Sequence, residues 1–146
     1  MHDAYRIIIA QDDAALASLL TRLILRRYPT AVVQAFGTGE DALAAYDQTG
    51  ADLLFVNHGM PGMNGARMIR ILRARSDMVP MIGMSGDPSL HDTYRAAGAM
   101  AFAESWELIV HLSALLRRFL PLTPHSLSAL RERTVAEPYH SEVSGA

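Results

Sequence analysis

The side chains able to do chemistry in this chain follow its apolar runs. Asn57 closes the run from Asp52 and is followed by His58-Gly-Met-Pro-Gly-Met-Asn-Gly65. Gln11, Asp12 and Asp13 follow Ile7 to Ala10, Ser85 and Gly86 follow Val79 to Met84, and Glu104 follows Ala99 to Ala103. A carboxylate oxygen can attack phosphorus, but the neutral carboxamide of Asn57 has no comparable nucleophile. Asp12, Glu104, the Asn57 side-chain oxygen and the Gly59 carbonyl are hard oxygen ligands of the kind Mg²⁺ or Ca²⁺ takes. Alternatively, two carboxylates in a half-open cleft simply hydrate, or share a proton as each raises the other's pKa. Asp12 and Glu104 are therefore weak metal candidates, and neither a cofactor nor a catalytic residue is expected.

Positioning these groups requires an alternation of buried strands and amphipathic helices. Ile7 to Ile9 reads as a short strand, and Leu16, Leu19, Leu20, Leu23 and Ile24 recur at helical spacing. Tyr28-Pro29 closes that helix, because proline disfavours helical geometry in the residue before it. Val32 to Phe36 is a second strand, Gly37-Thr-Gly39 turns into a short helix, and Leu53 to Val56 is a third strand apolar enough to be buried on both faces. A helix follows over about 66–75, then a strand from Val79 to Met84 with Pro80 near its start. Pro88 to Ala97 reads as a helix stopped by Gly98, Ala99 to Ala103 as a weak fifth strand, and Ser105 as the cap of a last helix with Leu108, Ile109, Leu112, Leu115, Leu116 and Phe119 on one face. Five such units predict an α/β fold, a doubly wound five-stranded parallel sheet with helices on both faces. Ligands of such sheets sit at the carboxyl ends of the strands, where the polar groups named above lie.

Composition narrows the possibilities further. A length of 146 residues suits one core, assigned to residues 1–120, with 121–146 expected as a C-terminal extension, a short helix and then a frayed tail. A net charge of -2 argues against a strong field for nucleic acid, and no direct nucleic-acid binding is expected. With no cysteine, disulfides and thiolate metal sites are excluded. The N-terminus lacks the pattern of a signal peptide and no apolar run spans a bilayer, so a cytoplasmic protein without membrane contact is expected. All 13 basic residues are arginine, so any mechanism needing a lysine amine is excluded.

Met60-Pro-Gly-Met-Asn-Gly65, Gly37-Thr-Gly-Glu-Asp-Ala-Leu43 and Ala96-Ala-Gly-Ala99, in this order and spacing, resemble the receiver domain of response regulators. The resemblance covers about residues 5 to 120 and implies the flavodoxin-like receiver fold. In that family an aspartate at the place of Asn57 takes a phosphoryl group from a histidine kinase, and an acidic pair after the first strand holds Mg²⁺. Matching the first helix by its apolar spacing puts Gln11 at the first acidic place and Asp12 at the metal-ligand place. Asp13 then stands at the helix entrance, where it also serves as an N-cap. Sliding by one residue restores an Asp-Asp pair but misplaces Leu16, Leu19 and Leu20. Ser85 matches the hydroxyl that contacts the phosphoryl oxygen, or else is a strand-end serine satisfied by backbone. The resemblance implies a Lys-Pro pair where Glu104-Ser105 stands, and an aromatic switch residue three places earlier, at Ala101, with Phe102 on the other face.

What the resemblance implies for function is thus a degenerate pseudo-receiver, a phosphorylation-independent module for protein contacts and not an enzyme. The alternatives are a switch or sensor that binds a divalent cation or small ligand in the altered acidic pocket, or one phosphorylated at Asp12. In the family, the face of the fourth helix, fifth strand and fifth helix mediates dimerisation or partner docking. Trp106, Val110 and Ala114 add an apolar edge there, although Trp106 would serve equally to cover the sheet end. Arg67, Arg70 and Arg73 at steps of three form either a ridge for an acidic partner or an ordinary solvated helix face.

Overall fold

The computed structural model describes residues 4–122. The chain alternates β1 (Arg6–Ala10), α1 (Ala14–Arg27), β2 (Val32–Phe36), α2 (Gly39–Thr49), β3 (Leu53–Asn57), α3 (Gly65–Ala74), β4 (Met81–Ser85), a 3-10 turn (Pro88–Leu90), α4 (His91–Ala97), β5 (Ala101–Glu104) and α5 (Ser105–Phe119). The five strands are parallel in the order β2-β1-β3-β4-β5. This is the flavodoxin-like receiver fold. Its order reverses between β1 and β3, the place where open α/β sheets carry their sites.

Two apolar layers hold the helices to the sheet. On one face Ile8, Leu54, Val56 and Met81 pack with Met68, Ile69 and Leu72 of α3 and Tyr94 of α4. On the other, Ile7, Ile9, Leu53, Phe55, Ile82 and Met84 pack with Leu20 and Ile24 of α1 and Leu108, Leu112 and Leu116 of α5. β1 and β3 are central and wrapped on both faces, which accounts for their unbroken apolar runs.

Local chemistry sets the element ends. Asp13 accepts from the backbone N–H groups of Ala15 and Leu16, Thr38 from Asp41, and Asn64 from Arg67, each capping a helix. Gly62, at φ 76°, makes the left-handed bend in the turn before α3, and Gly98, at φ 111°, ends α4.

Several boundaries differ from the sequence expectation. β4 starts at Met81, because Pro80 has no N–H to donate and contributes only its carbonyl, accepting from Leu54 N at 3.0 Å. The segment after β4 begins as a 3-10 turn, with Asp87 bonded to Ser89 N, so α4 is only 7 residues long. Ser105 does not cap α5 but is its first residue. The cap position is Glu104, whose side chain makes no capping bond. The expected short helix and tail after Pro121 fall almost wholly outside the described residues.

Among the described residues, no helix is long and apolar enough to cross a membrane.

Candidate functional site

The carboxyl ends of β1, β3 and β4 bring Asp12, Asn57 and Ser85 to one rim of the sheet. Asn57 and Asp12 meet directly: the carboxamide Nδ2 donates to Asp12 Oδ1 at 3.0 Å. Asp12 is exposed and Asn57 half-buried. Asp13 points the other way, into its capping bonds.

Gln11 is withdrawn from the rim. Only 4% exposed, it accepts from Asp13 N through Oε1 at 3.0 Å and reaches Met84 Sδ with Nε2 at 3.9 Å. Ser85 Oγ accepts from Asp87 N at 3.1 Å, the strand-end arrangement of a serine satisfied by backbone. Asp87 itself is held below the usual carboxylate range, chiefly by its hydrogen bonds from the Ser89 hydroxyl and backbone.

Glu104 is not gathered in. Its register partner on β4 is Ser85. From β1 to β5 the sheet order crosses three inter-strand spacings, roughly 14 Å at the backbone. Asp12 and Glu104, the weak metal candidates of the sequence, are therefore too far apart to clasp one ion. Asn57 presents an N–H to Asp12 where a metal site would need a ligand oxygen. Among the described residues no three His, Cys, Asp or Glu side chains converge as a metal-holding group. The donor set does not fit the Mg²⁺ site that the resemblance implies.

The aromatic facing α4 is Phe102. Its ring lies 5.0 Å from Tyr94 and 4.7 Å from His91. Ala101, where the switch aromatic was expected, packs with the α1 and α5 layer instead. The two residues do face opposite ways, as strand alternation requires, but the face that meets α4 belongs to Phe102.

Behind Asn57 lies a contact that the sequence reading missed. His58 Nδ1 is 2.8 Å from the Tyr94 hydroxyl, and Tyr94 is fully buried. Burial drives the Tyr94 phenol well above its ordinary pKa, opposed by the Ala66 backbone hydrogen bond and the charge of Arg70. A Cβ built on Gly83 would overlap the Tyr94 ring, and one on Gly65 would overlap its hydroxyl. The available signal was Gly83 itself, since a glycine inside a buried strand marks the close approach of another group.

The arginine ridge on α3 divides by role. Arg67 and Arg70 are exposed, and Arg75 pairs with Asp47 at 2.7 Å. Arg73 turns inward, donating from Nε to Gly98 O and from one terminal nitrogen to Asp77 O and Val79 O. It ties α3 to the ends of α4 and β4 and is unavailable to a partner. On α5, Trp106 is 67% and Val110 60% exposed. Between α4, the start of β5 and the later turns of α5 a groove of about 370 Å³ is lined by His91, Arg95, Met100, Phe102, Leu115 and Arg118.

A five-stranded sheet in this order, with polar side chains gathered at the β1 and β3 ends, defines the flavodoxin-like class of fold. The response regulator receiver domain family matches residues 7–103, and the chain belongs to it. It is 34% identical over 123 residues to the DNA-binding response regulator MtrA of Mycobacterium tuberculosis, with 77% of this chain and 51% of MtrA covered. It is 32% identical over 120 residues to the sensory transduction protein RegX3 of Mycolicibacterium smegmatis, covering 77% and 50%. The chain thus spans about half the length of the curated relatives it matches. Among solved structures, the BeF3-activated receiver domain of Klebsiella pneumoniae RstA superposes with a TM-score of 0.71 at 20% identity, covering 80% of this chain and 98% of that one. The phosphorylated cyanobacterial phytochrome response regulator RcpA gives 0.71 at 14% identity, covering 81% and 95%.

Proposed function

We propose that this receiver domain takes no phosphoryl group and works as a protein-docking module, through the face of α4, β5 and α5. The observation that carries the reading is the hydrogen bond from Asn57 Nδ2 to Asp12 Oδ1. The place of the nucleophile holds a carboxamide, and its donor N–H satisfies the one carboxylate beside it. The nucleophile's place thus offers no attacking oxygen, and the N–H turned to Asp12 offers no second oxygen to pair with it around a cation.

The basic place supports the same reading in a revised register. With Phe102 as the aromatic that faces α4, the spacing of three to the lysine place leads to Ser105, and Trp106 stands where the proline would be. A hydroxyl thus replaces the ammonium, and Glu104 is its neighbour. Glu104 lies two inter-strand spacings from Asn57, roughly 10 Å at the backbone. At that range its repulsion is about 1–2 kcal/mol for each unit of phosphoryl charge before screening, at an effective dielectric near 20. The missing nucleophile and the missing cation outweigh that repulsion.

Support for docking comes from two separate features of this side, the exposed Trp106 and Val110 on α5 and the groove between α4 and the later turns of α5. Trp is enriched at the energetic centres of protein contacts, and receiver domains commonly dimerise through this face. Because the chain spans half of MtrA, the DNA binding in that protein's name is not carried over to this chain.

The test is incubation with acetyl phosphate or a fluoroberyllate mimic, followed by intact mass and peptide mapping. No adduct is expected at any residue, Asp12 included. Stoichiometric addition would sink the proposal.

A further inference from the structure

We propose that Tyr94 locks α4 to the sheet, so that the α4–β5 side of the docking face is preset independently of what happens at Asn57. The inference rests on the docking-module reading and adds how that face is held. α4 has little of its own to hold it. It is 7 residues long, follows a 3-10 turn and has no side-chain N-cap bond, whereas isolated helices of that length are not stable in water.

What fixes it is the side chain of Tyr94, fully buried in a slot that two glycines leave open. The ring lies against Gly83 of β4 and the hydroxyl against Gly65 at the start of α3. The hydroxyl also meets His58 Nδ1 at 2.8 Å, one residue beyond Asn57. The ring continues outward to Phe102 at 5.0 Å and through it to His91 at 4.7 Å, on the wall of the α4–α5 groove. A displaced α4 would have to withdraw the phenol from this slot, exposing the ring and emptying space that no side chain of Gly83 or Gly65 can fill. One position of α4 is therefore favoured over any other.

Hydrogen exchange on the full chain tests the lock, comparing wild type with Tyr94→Phe, Tyr94→Leu and Gly83→Ala. In Tyr94→Leu and Gly83→Ala the amides of residues 91–98 should exchange about tenfold faster or more, while those of α1 and α3 keep their protection. Tyr94→Phe, which keeps the ring and loses only the hydroxyl, should show a smaller increase at the same amides. The lock is overturned if α4 protection is unchanged in Tyr94→Leu. A parallel fall in α1, α3 and α4 would equally overturn it, since Tyr94 would then be an ordinary core residue. The two proposals fail separately. An acetyl phosphate adduct with α4 protection still dependent on Tyr94 would remove the docking-module reading and leave the lock standing.

Discussion

Asn57 donates from Nδ2 to Asp12 Oδ1 at 3.0 Å, across 45 residues of sequence. The bond joins the ends of β1 and β3 side chain to side chain. Replacing Asn57 by Asp would set two carboxylates face to face. Because Asp12 is exposed, the pair can swing apart and the net cost should be about 1 kcal/mol at neutral pH. The variant should melt below wild type without divalent cations and recover in millimolar Mg²⁺, while wild type should not respond. Equal responses of both proteins in a thermal melt would show that the carboxamide is not what excludes the ion.

The place of the missing cation can be located by a second series. Asn57→Asp alone should form no stable acyl phosphate with acetyl phosphate. Asn57→Asp combined with Ser105→Lys should form one detectable by mass, and the combination with Glu104→Lys should form much less. The reverse ranking would restore Glu104 as the counterpart of the lysine.

Arg73 provides a stability test. Its guanidinium clamps three carbonyls, those of Gly98, Asp77 and Val79, in a fork that lysine cannot reproduce. Arg73→Lys should cost about 2 kcal/mol in denaturant unfolding, whereas Arg67→Lys or Arg70→Lys should stay within about 0.5 kcal/mol of wild type. A cost for all three alike would mean that the α3 arginines act as one surface ridge after all.

Trp106→Ala should separate docking from folding. With 67% of the residue exposed, its loss should change stability by less than about 0.5 kcal/mol. Light scattering should find the variant monomeric under conditions where wild type self-associates, or a captured partner should be lost. A large drop in melting temperature with unchanged association would identify Trp106 as a cover for the sheet end.

Alkaline unfolding follows from the buried phenols. Burial first, then the nearby Tyr5, pushes Tyr28 up to about 12. Burial and a hydrogen bond to Asp77 raise Tyr46 further, and burial raises Tyr94. Each folded value exceeds the ordinary phenol value of about 10, so the fold retains protons that the open chain releases. The stabilisation is fully present below about pH 10 and is lost as pH rises through the folded values. The chain has no lysine and no cysteine, so phenolate absorbance should report this window almost alone. A cooperative phenolate step should coincide with loss of circular dichroism. Gradual phenolate formation with the dichroism intact would contradict it.

How much the sequence disclosed depended on whether neighbours or distant contacts set the feature. β2 falls at Val32–Phe36 as expected, and the Asp13 cap was legible because a capping bond is local. β4 was drawn two residues early because Val79 and Pro80 are apolar, although a proline cannot donate to the ladder. The aromatic position on β5 was counted from Glu104 and reached Ala101, whereas the aromatic side chain that meets α4 is Phe102, one residue on. The Asn57–Asp12 and His58–Tyr94 bonds join residues far apart in sequence, and no spacing rule reaches them. The slot for Tyr94 left only indirect marks, Gly83 and Gly65.

That slot also restricts how the chain can change. Gly83→Ala is expected to be damaging while a ring occupies position 94, yet it should become tolerable once Tyr94 is replaced by a small side chain. The two substitutions are then acceptable in one order and not in the other. A combinatorial library at positions 65, 83 and 94 should show this dependence directly. An evolutionary path to an alanine at 83 would have to pass first through loss of the phenol.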